Sequence, residues 1–380
     1  MKLLHTADWQ IGRVYSQFDS GDGAQLSAAR VDAVARIAEL AVRHEVDAVV
    51  VAGDVFDSQA PREKAVVRLF EAMRGFAGPW VLLPGNHDAA LAESVWTLAR
   101  RLNAVPANVH LGLTPETLHV AGAAGAKIAV LPAPLTQRHT HLDLTAWFDD
   151  AQTDADAFRI GVAHGSVEGW LPEAADAQNP IAADRAQRAR LDYLALGDWH
   201  GKLQVNERTW YSGTPEPERF RANDPGFALL VEIASPGATP NVTPVSVGRY
   251  RWVTLSLDVG DARDAQRAVD ALAGVDSSTV AEVHLTGSCD LAWQERLQSA
   301  LAAAENKAAA LAVRVNDLRL APTEADLRSL QADGFLGEVL DTLKVQLAST
   351  GDEAETARDA LLHLARIQRE LGAVPSETAP

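Results

Sequence analysis

Trp80-Val81-Leu82-Leu83, followed by Pro84 and then Gly85-Asn86-His87-Asp88, places an apolar run of strand character directly before side chains that can hold metal. The arrangement recurs along the chain. Leu3-Leu4 leads into Asp8 with Gln10, and Val46 to Val51 leads into Gly53-Asp54 with Asp57. Phe158 to Ala163 precedes His164-Gly165, and Leu191 to Leu196 precedes Gly197-Asp198-Trp199-His200-Gly201. Singly, an Asp or His at a strand end reads as a cap or a satisfied polar group. Five on successive strands point to the ligand crevice that an open α/β sheet forms beyond the carboxyl ends of its strands.

The remaining pattern builds outward from these runs. Lys127 to Leu131 and Phe227 to Ile233 add strands. Val34, Ile37 and Ala41, and after Pro61 the series Val66, Leu69, Phe70 and Met73, recur at helical spacing and predict helices covering the sheet faces. The expected class is α/β, a layered β-sheet core flanked by helices over residues 1–248. A composition break at Ala234 to Pro240 and a new strand-like run from Trp252 put a boundary near Arg249. Residues 249–321 then read strand, helix (Asp261 to Ala273), strand (Ala281 to Leu285), helix (Leu291 to Ala304), strand (Val313 to Leu320), a small α/β unit. Residues 322–380 read as helical. Leu336, Val339, Leu340 and Leu343, then Leu361, Leu364, Ala365 and Leu371, form apolar stripes on two helices split at Gly351. Such stripes pack on each other or on the domain; the alternative is a docking surface for a partner helix.

At 380 residues, with 47% hydrophobic and 22% charged residues, the composition suits a soluble globular protein of one large and one smaller unit. No apolar stretch has the length of a membrane span. Cys289 is the only cysteine, which rules out a disulfide framework, and the N-terminus turns polar too early for a secretory signal, so the cytoplasm is the expected location. The net charge of -17 argues against the basic surface of a stand-alone nucleic-acid binder. Acidic metal ligands and an acid-rich tail account for part of that charge, and a partner subunit could supply a DNA grip.

Carboxylates and imidazoles together suit divalent Mn, Mg, Fe or Zn, and one bridging carboxylate can hold two ions roughly 3.5–4 Å apart. Water acidified between such ions attacks phosphorus in line, while the ions and a nearby His neutralise the charge that builds on the phosphate oxygens. The glycines before Asp54, Asn86 and Asp198 allow positive φ or close backbone approach in turns that aim the ligands.

At these residues the chain resembles the calcineurin-like metallophosphoesterase superfamily, whose motifs run Asp-x-His, Gly-Asp-x-x-Asp or His, Gly-Asn-His-Asp or Glu, a lone His, and Gly-His-x-His. His5-Thr6-Ala7-Asp8-Trp9 with Ile11-Gly12, Trp210-Tyr211-Ser212-Gly213-Thr214-Pro215-Glu216 and Gly226 to Val231 are similar to SbcD-type DNA repair nucleases. The similarity covers roughly the first two thirds of the chain, and residues 249–321 are similar in position to that family's capping domain.

The resemblance implies that Asp8, Gln10, Asp54 and His200 hold one ion and that Asp54 bridges to a second held by Asn86, His164 and Asp198. His87 would contact the scissile phosphate and assist the leaving group. It implies two divalent ions, Mn2+ foremost with Mg2+, Fe2+ and Zn2+ as alternatives. It implies DNA and an SbcC-type ATPase as partners, a homodimer as an open arrangement, and no membrane. The function implied is a metal-dependent DNA exo/endonuclease in repair; a small-molecule phosphodiesterase or phosphatase and a non-catalytic scaffold are the alternatives.

Two positions depart from the pattern. Gln10 and Asp198 each stand where a ligand His is usual. An amide oxygen ligates more weakly than imidazole, whereas a carboxylate binds hard cations well, so a centre shifted toward Mn or Mg over Zn is expected.

Other polar residues near the clusters carry two readings each. Asp57 either orients a metal ligand or caps the helix after Pro61, and Asp88 caps or orients the Asn86-His87 turn. His5 is expected to be satisfied in the core, and His139 and His141 to form an exposed loop pair. Trp9 and Trp199 either stack on a base or wall the site. Arg13, Tyr15, Arg219 and Arg221 either meet DNA backbone or are solvated. Thr6 and Ser212 are expected to be structural.

Overall fold

The computed structural model describes residues 1–170, 178–321, 323, 335–347, 349 and 351–372. They divide into two compact units, Met1–Trp252 and Val253–Pro380.

The first unit contains strands β1 (Lys2–Thr6), β2 (Ala48–Val51), β3 (Trp80–Leu82), β4 (Val109–Leu111), β5 (Leu118–Ala121), β6 (Lys127–Ala133) and β7 (Phe158–His164). A short pair, β8 (Ser166–Val167) and β9 (Pro180–Ile181), precedes β10 (Tyr193–Gly197), β11 (Leu203–Asn206), β12 (Thr209–Tyr211), β13 (Phe227–Glu232) and β14 (Asn241–Ser246). They build two six-stranded sheets, ordered β14-β13-β1-β2-β3-β4 and β11-β12-β10-β7-β6-β5. Within the first, β1, β2, β3 and β4 run parallel; within the second, β6, β7, β10 and β12 do.

Strand alternation explains the nearly continuous apolar runs. Leu3, Val50 and Val81 point into the layer between the sheets, where they pack with Ile128, Val130, Ile160, Val162 and Tyr193. Their neighbours Leu4, Val49, Val51 and Leu82 point the other way, against helices α1 (Ser20–Arg43) and α2 (Glu63–Met73). Strands buried on both faces must be apolar at every position. Each such side chain contributes roughly 1.5–3 kcal/mol on burial. The helix stripes fall where their spacing places them: Val34, Ile37 and Ala41 on α1, and Val66, Leu69, Phe70 and Met73 on α2, are all buried. Asp19 starts α1 by accepting from the amides of Gly21 and Asp22. A shorter α3 (Val95–Arg101) follows β3, and α4 (Arg185–Arg188) precedes β10.

One expectation needs correction. The five ligand-capable clusters do not lie on successive strands of one sheet. Three follow β1, β2 and β3 in the first sheet; two follow β7 and β10 in the second, and β4, β5 and β6 lie between them in the chain. An apolar run marks a strand but not the sheet it joins, because that depends on pairing with distant segments.

The second unit takes most of β15 (Arg251–Val259), then α5 (Ala262–Ala273), β16 (Thr279–Cys289), α6 (Leu291–Glu305) and β17 (Ala310–Leu320), in a sheet ordered β15-β16-β17. Asp261 and Asp290 cap α5 and α6 through their carboxylates. Two further helices, α7 (Phe335–Leu347) and α8 (Asp352–Gly372), pack on each other. Leu340 and Leu361 form a cluster with Leu291 and Leu320, and Leu343 and Leu364 lie against it. These members of the apolar stripes are thus satisfied within the unit. The side chains of Leu336, Ala365 and Leu371, and residues 322, 324–334 and 373–380 of the expected helical segment, lie outside the described residues.

Candidate metal centre

The parallel strands β1, β2 and β3 of one sheet and β7 and β10 of the other carry the ligand-capable residues at or just beyond their carboxyl ends, and the turns there are tied together by backbone bonds. Asp8 N donates to Gly53 O at 3.0 Å, Gln10 N to Asp54 O at 2.9 Å, and Ile11 N to Val55 O at 2.9 Å, which zips the first turn onto the second. Asp8, Gln10, Asp54 and Asp198 all have positive φ, at 54°, 44°, 51° and 97°. Left-handed backbone is uncommon outside glycine, and its concentration on four ligand-capable residues is strain of the kind stored at functional sites. Gly53 is needed for its own φ of +90°. Gly85 is needed for space, because a Cβ there would lie 2.2 Å from Asp54 Oδ1 and 2.4 Å from Asp54 N.

The side chains converge on two adjoining places. In one, His164 Nε2 lies 3.5 Å from Asp54 Oδ1, 3.6 Å from Asp198 Oδ1 and 3.0 Å from the Asn86 amide. Turned over, that amide would donate to His164 Nε2 and, at 3.1 Å, to both Asp54 oxygens. His164 Nδ1 donates to Ala52 O at 2.9 Å, which leaves Nε2 facing the carboxylates. In the other, Asp8 Oδ1 accepts from Asp198 N at 3.1 Å, while its Oδ2 is buried and has no partner. His200 Nδ1 meets Glu218 Oε1 at 2.5 Å, so its Nε2 also faces inward, 3.4 Å from Gln10 Nε2. His87 sits at the rim, its amide donating to Asp54 Oδ1 at 2.9 Å and its Nδ1 to Asp57 O at 2.8 Å. Beside it Arg138, Ser58, Gln59 and Leu91 line a cavity of about 220 Å³.

The residues present fit divalent cations. Asp8, Asp54 and His164 bring ligand atoms within 4.8 Å of one another. The orphaned, buried Asp8 Oδ2 is the kind of polar atom that native structures do not leave without a partner. Among the described residues the ion pairs of Asp8, Asp54 and Asp198 are with imidazoles only. Burial would lower the pKa of His164, but Asp54, Asp198 and Asp8 raise it to about 9. Burial, with a smaller contribution from Asp54, raises Asp8 to about 6 against the pull of His200 and His164. The first shift comes from neighbouring carboxylate charge and the second mainly from burial of the carboxylate itself, and a cation among these groups would relieve both.

Sequence reasoning missed the supports. Glu218, 3% exposed, is held well below the usual carboxylate range: burial would raise it, but the His200 hydrogen bond and charge, with Arg30 and Arg219, lower it further. Its only signal in the sequence was a second acid after Glu216. Arg30 is 1% exposed and donates to Trp9 O, Tyr15 Oη, Glu216 O, Asp8 O and Thr214 Oγ1, joining the first turn to the Thr214-to-Glu216 segment. It stands four residues after Leu26 and four before Val34 on the buried stripe of α1, a charged residue on an apolar face that could have been noticed.

Several two-sided readings resolve here. Asp57 does not cap α2, whose N-cap is Arg62 without a side-chain bond; its carboxylate takes Arg13 at 3.1 Å. Asp88 bonds Gly85 N at 2.6 Å and Phe56 N at 3.0 Å, bracing two ligand turns, and burial, then the charge of Asp54, raises its pKa to about 7. Trp9 is buried in the apolar cluster with Trp80 and bonded to Thr6 Oγ1, so it offers no stacking face. Arg221 lies over the Trp199 ring at 4.9 Å. Arg13 is partly exposed but bonds Gln10 and Asp57, and Tyr15 is buried with its hydroxyl accepting from Arg30. Arg219 pairs with Glu218. His5 bonds Tyr193 Oη and Leu196 O, Ser212 is buried, and His139 and His141 are exposed.

Residues 1–231 match the calcineurin-like phosphoesterase family. The chain is 25% identical over 272 residues to the SbcD component of the SbcCD nuclease of Bacillus subtilis, covering 62% of this chain and 67% of that one. It is 27% identical over 285 residues to the DNA double-strand break repair protein Mre11 of Aeropyrum pernix, covering 71% and 66%. A shorter match, 39% over 95 residues, joins it to the SbcD component of the Rhodobacter capsulatus SbcCD nuclease, covering 24% and 22%. The matches thus span about two thirds or less of the relatives' own lengths.

Proposed function

This chain belongs to the calcineurin-like phosphoesterase family and is of the SbcD type, and from that premise we propose that it is a two-metal phosphodiesterase that cuts DNA, acting with an SbcC-type ATPase in repair. The observation that carries the metal-dependent part is the buried, partnerless Asp8 oxygen in a site where Asp8, Asp54 and His164 bring ligand atoms within 4.8 Å of one another and Asn86 and Asp198 meet His164. Relatives named as components of SbcCD nucleases and as Mre11 support the choice of DNA. The same family relation suggests the ATPase partner.

Asp54, whose ligand atoms come within 4.8 Å of those of both Asp8 and His164, would be the carboxylate shared between an ion held with Asp8 and His200 and one held with Asn86, His164 and Asp198. Bound divalent ions, Mn2+ foremost, would acidify water and neutralise charge on a phosphoryl group. The chain's own residues do the rest. Glu218 and Ala52 O hold the His200 and His164 rings with Nε2 inward. His87 is 29% exposed in its side chain, with Nδ1 bonded to Asp57 O, so its Nε2 is the atom presented to a substrate. When the ring is charged it can donate to a phosphate oxygen or give a proton to the leaving oxygen.

The net charge of -17 favours a second reading, a small phosphodiester as substrate. The test is Mn2+-dependent digestion of end-labelled single- and double-stranded DNA, with Asp54→Ala and His87→Ala beside the wild type. Cutting by the wild type and by neither variant supports the nuclease. Hydrolysis of bis(p-nitrophenyl) phosphate with both DNAs left intact would move the assignment to the small-molecule reading.

A further inference from the structure

Gln10 stands where the family motif has a ligand imidazole, and its amide is already committed. Arg13 Nη1 donates to Gln10 Oε1 at 2.8 Å, so the oxygen that would have to ligate a cation is held by a guanidinium. The other end of the amide, Nε2, faces His200 Nε2 at 3.4 Å. In the neutral ring whose Nδ1–H serves Glu218, the form in which His200 can ligate a cation, Nε2 is left to accept from the Gln10 amide. Arg13 is itself anchored, its Nη1 3.1 Å from Asp57 Oδ1 and its Nε 3.2 Å from Glu218 Oε2. Turning the Gln10 amide over would break the bond to Arg13 and set NH2 against NH. An arginine cannot give up its proton to relieve that opposition.

The second departure works in the opposite direction. Asp198 adds a carboxylate to the side already formed by Asp54, Asn86 and His164, with Oδ1 3.6 Å from His164 Nε2. Hard divalent cations gain affinity with ligand charge and lose it when a ligand is withdrawn.

We propose that the metal centre is unequal: Gln10 is locked by Arg13 and is not a ligand, so a divalent cation binds beside Asp8, Asp54 and His200 more weakly than one binds among Asp54, Asn86, His164 and Asp198. The inference rests on the two-metal reading above and deepens it. Occupancy of the weaker position, and with it turnover, follows free Mn2+, whereas the stronger position fills first.

The test uses the full chain stripped of metal with a chelator and titrated with MnCl2, with heats measured by calorimetry and the Mn2+ resonance by electron spin resonance. The wild type is expected to bind in two steps separated by about tenfold or more, the first giving the spectrum of an isolated ion. Gln10→His is expected to tighten the second step toward the first and bring in the spectrum of a coupled pair. Arg13→Met frees the amide to turn and is expected to tighten the second step in part. Circular dichroism establishes that both variants are folded; the wild-type titration stands without them. Two ions of equal affinity in the wild type, or a second step that Gln10→His leaves unchanged, would overturn the proposal while leaving the phosphoesterase reading intact. Binding of no Mn2+ at all would sink both.

Discussion

Exchanging Glu218 for Gln removes one buried charge and little else, which makes it a direct probe of how the protein tunes the ion beside His200. The carboxamide oxygen can still accept from His200 Nδ1, now at 2.5 Å from Glu218 Oε1, so the ring orientation is retained. The bond ceases to be charge-assisted, and such bonds are roughly twice as strong as neutral ones. The imidazole becomes a less basic ligand. The guanidiniums of Arg13 and Arg219, which Glu218 now offsets, are left to oppose an incoming cation. At 1% side-chain exposure the lost charge is screened very little by water. Partners of this kind are worth about 10- to 100-fold in metal affinity, and a buried carboxylate facing His200 and the Arg13 and Arg219 guanidiniums is taken at the middle of that range. We expect about thirtyfold weaker Mn2+ binding, or about 2 kcal/mol at 1.36 kcal/mol per decade. Calorimetric titration reads the affinity directly. In a hydrolysis assay the half-saturating Mn2+ should rise while the rate at saturating Mn2+ recovers. An affinity within about twofold of the wild type would show that the Glu218–His200 pair does not tune the ion, and the argument from ring basicity would be wrong.

Three further outcomes follow from the same geometry. His5 is wholly buried, and burial drives its pKa from 6.5 to about 3, so its contribution to stability is present above pH 6.5 and is lost as pH falls through 6.5 toward 3. Urea titrations of wild type and His5→Phe at several pH values should differ in slope by about 1.4 kcal/mol per unit in that window, and parallel curves would refute the assignment. Arg30→Met leaves the carbonyls of Asp8, Trp9 and Glu216 without their donor and should lower the unfolding free energy by about 3–5 kcal/mol; a loss under about 1 kcal/mol would mean that water replaces it. Gly85→Ala pushes a methyl into Asp54 and should cost about 1–3 kcal/mol in stability together with a clear loss of Mn2+ affinity, measured by thermal melting and titration, whereas unchanged Mn2+ binding would show that the turn can yield.

The amino-acid sequence by itself determined the central strands, the two long helices of the first unit and the residues that end the ligand-bearing strands, whereas β4, β5, β11, β12, β14 and α3 were not read from it. The continuous apolar run Ala48 to Val51, helical spacing in Val66 to Met73, and the glycines before Asp54 and Asn86 are all set by interactions within a few residues, so they can be read without knowing where the chain goes next. The two substitutions in the ligand pattern, Gln10 and Asp198, were visible for the same reason. Tertiary structure decided what those residues do. It put β7 and β10 in a different sheet from β1, β2 and β3, because sheet membership is chosen by distant pairing. It placed Arg30 under Asp8, and Glu218 behind His200. It also turned the Gln10 oxygen onto Arg13, which is itself held by Asp57 and Glu218 from elsewhere in the chain. A side chain's role in a buried polar network depends on which donors and acceptors surround it in space, and hydrogen-bond partners that lie 44 or 190 residues apart leave no local trace in the sequence.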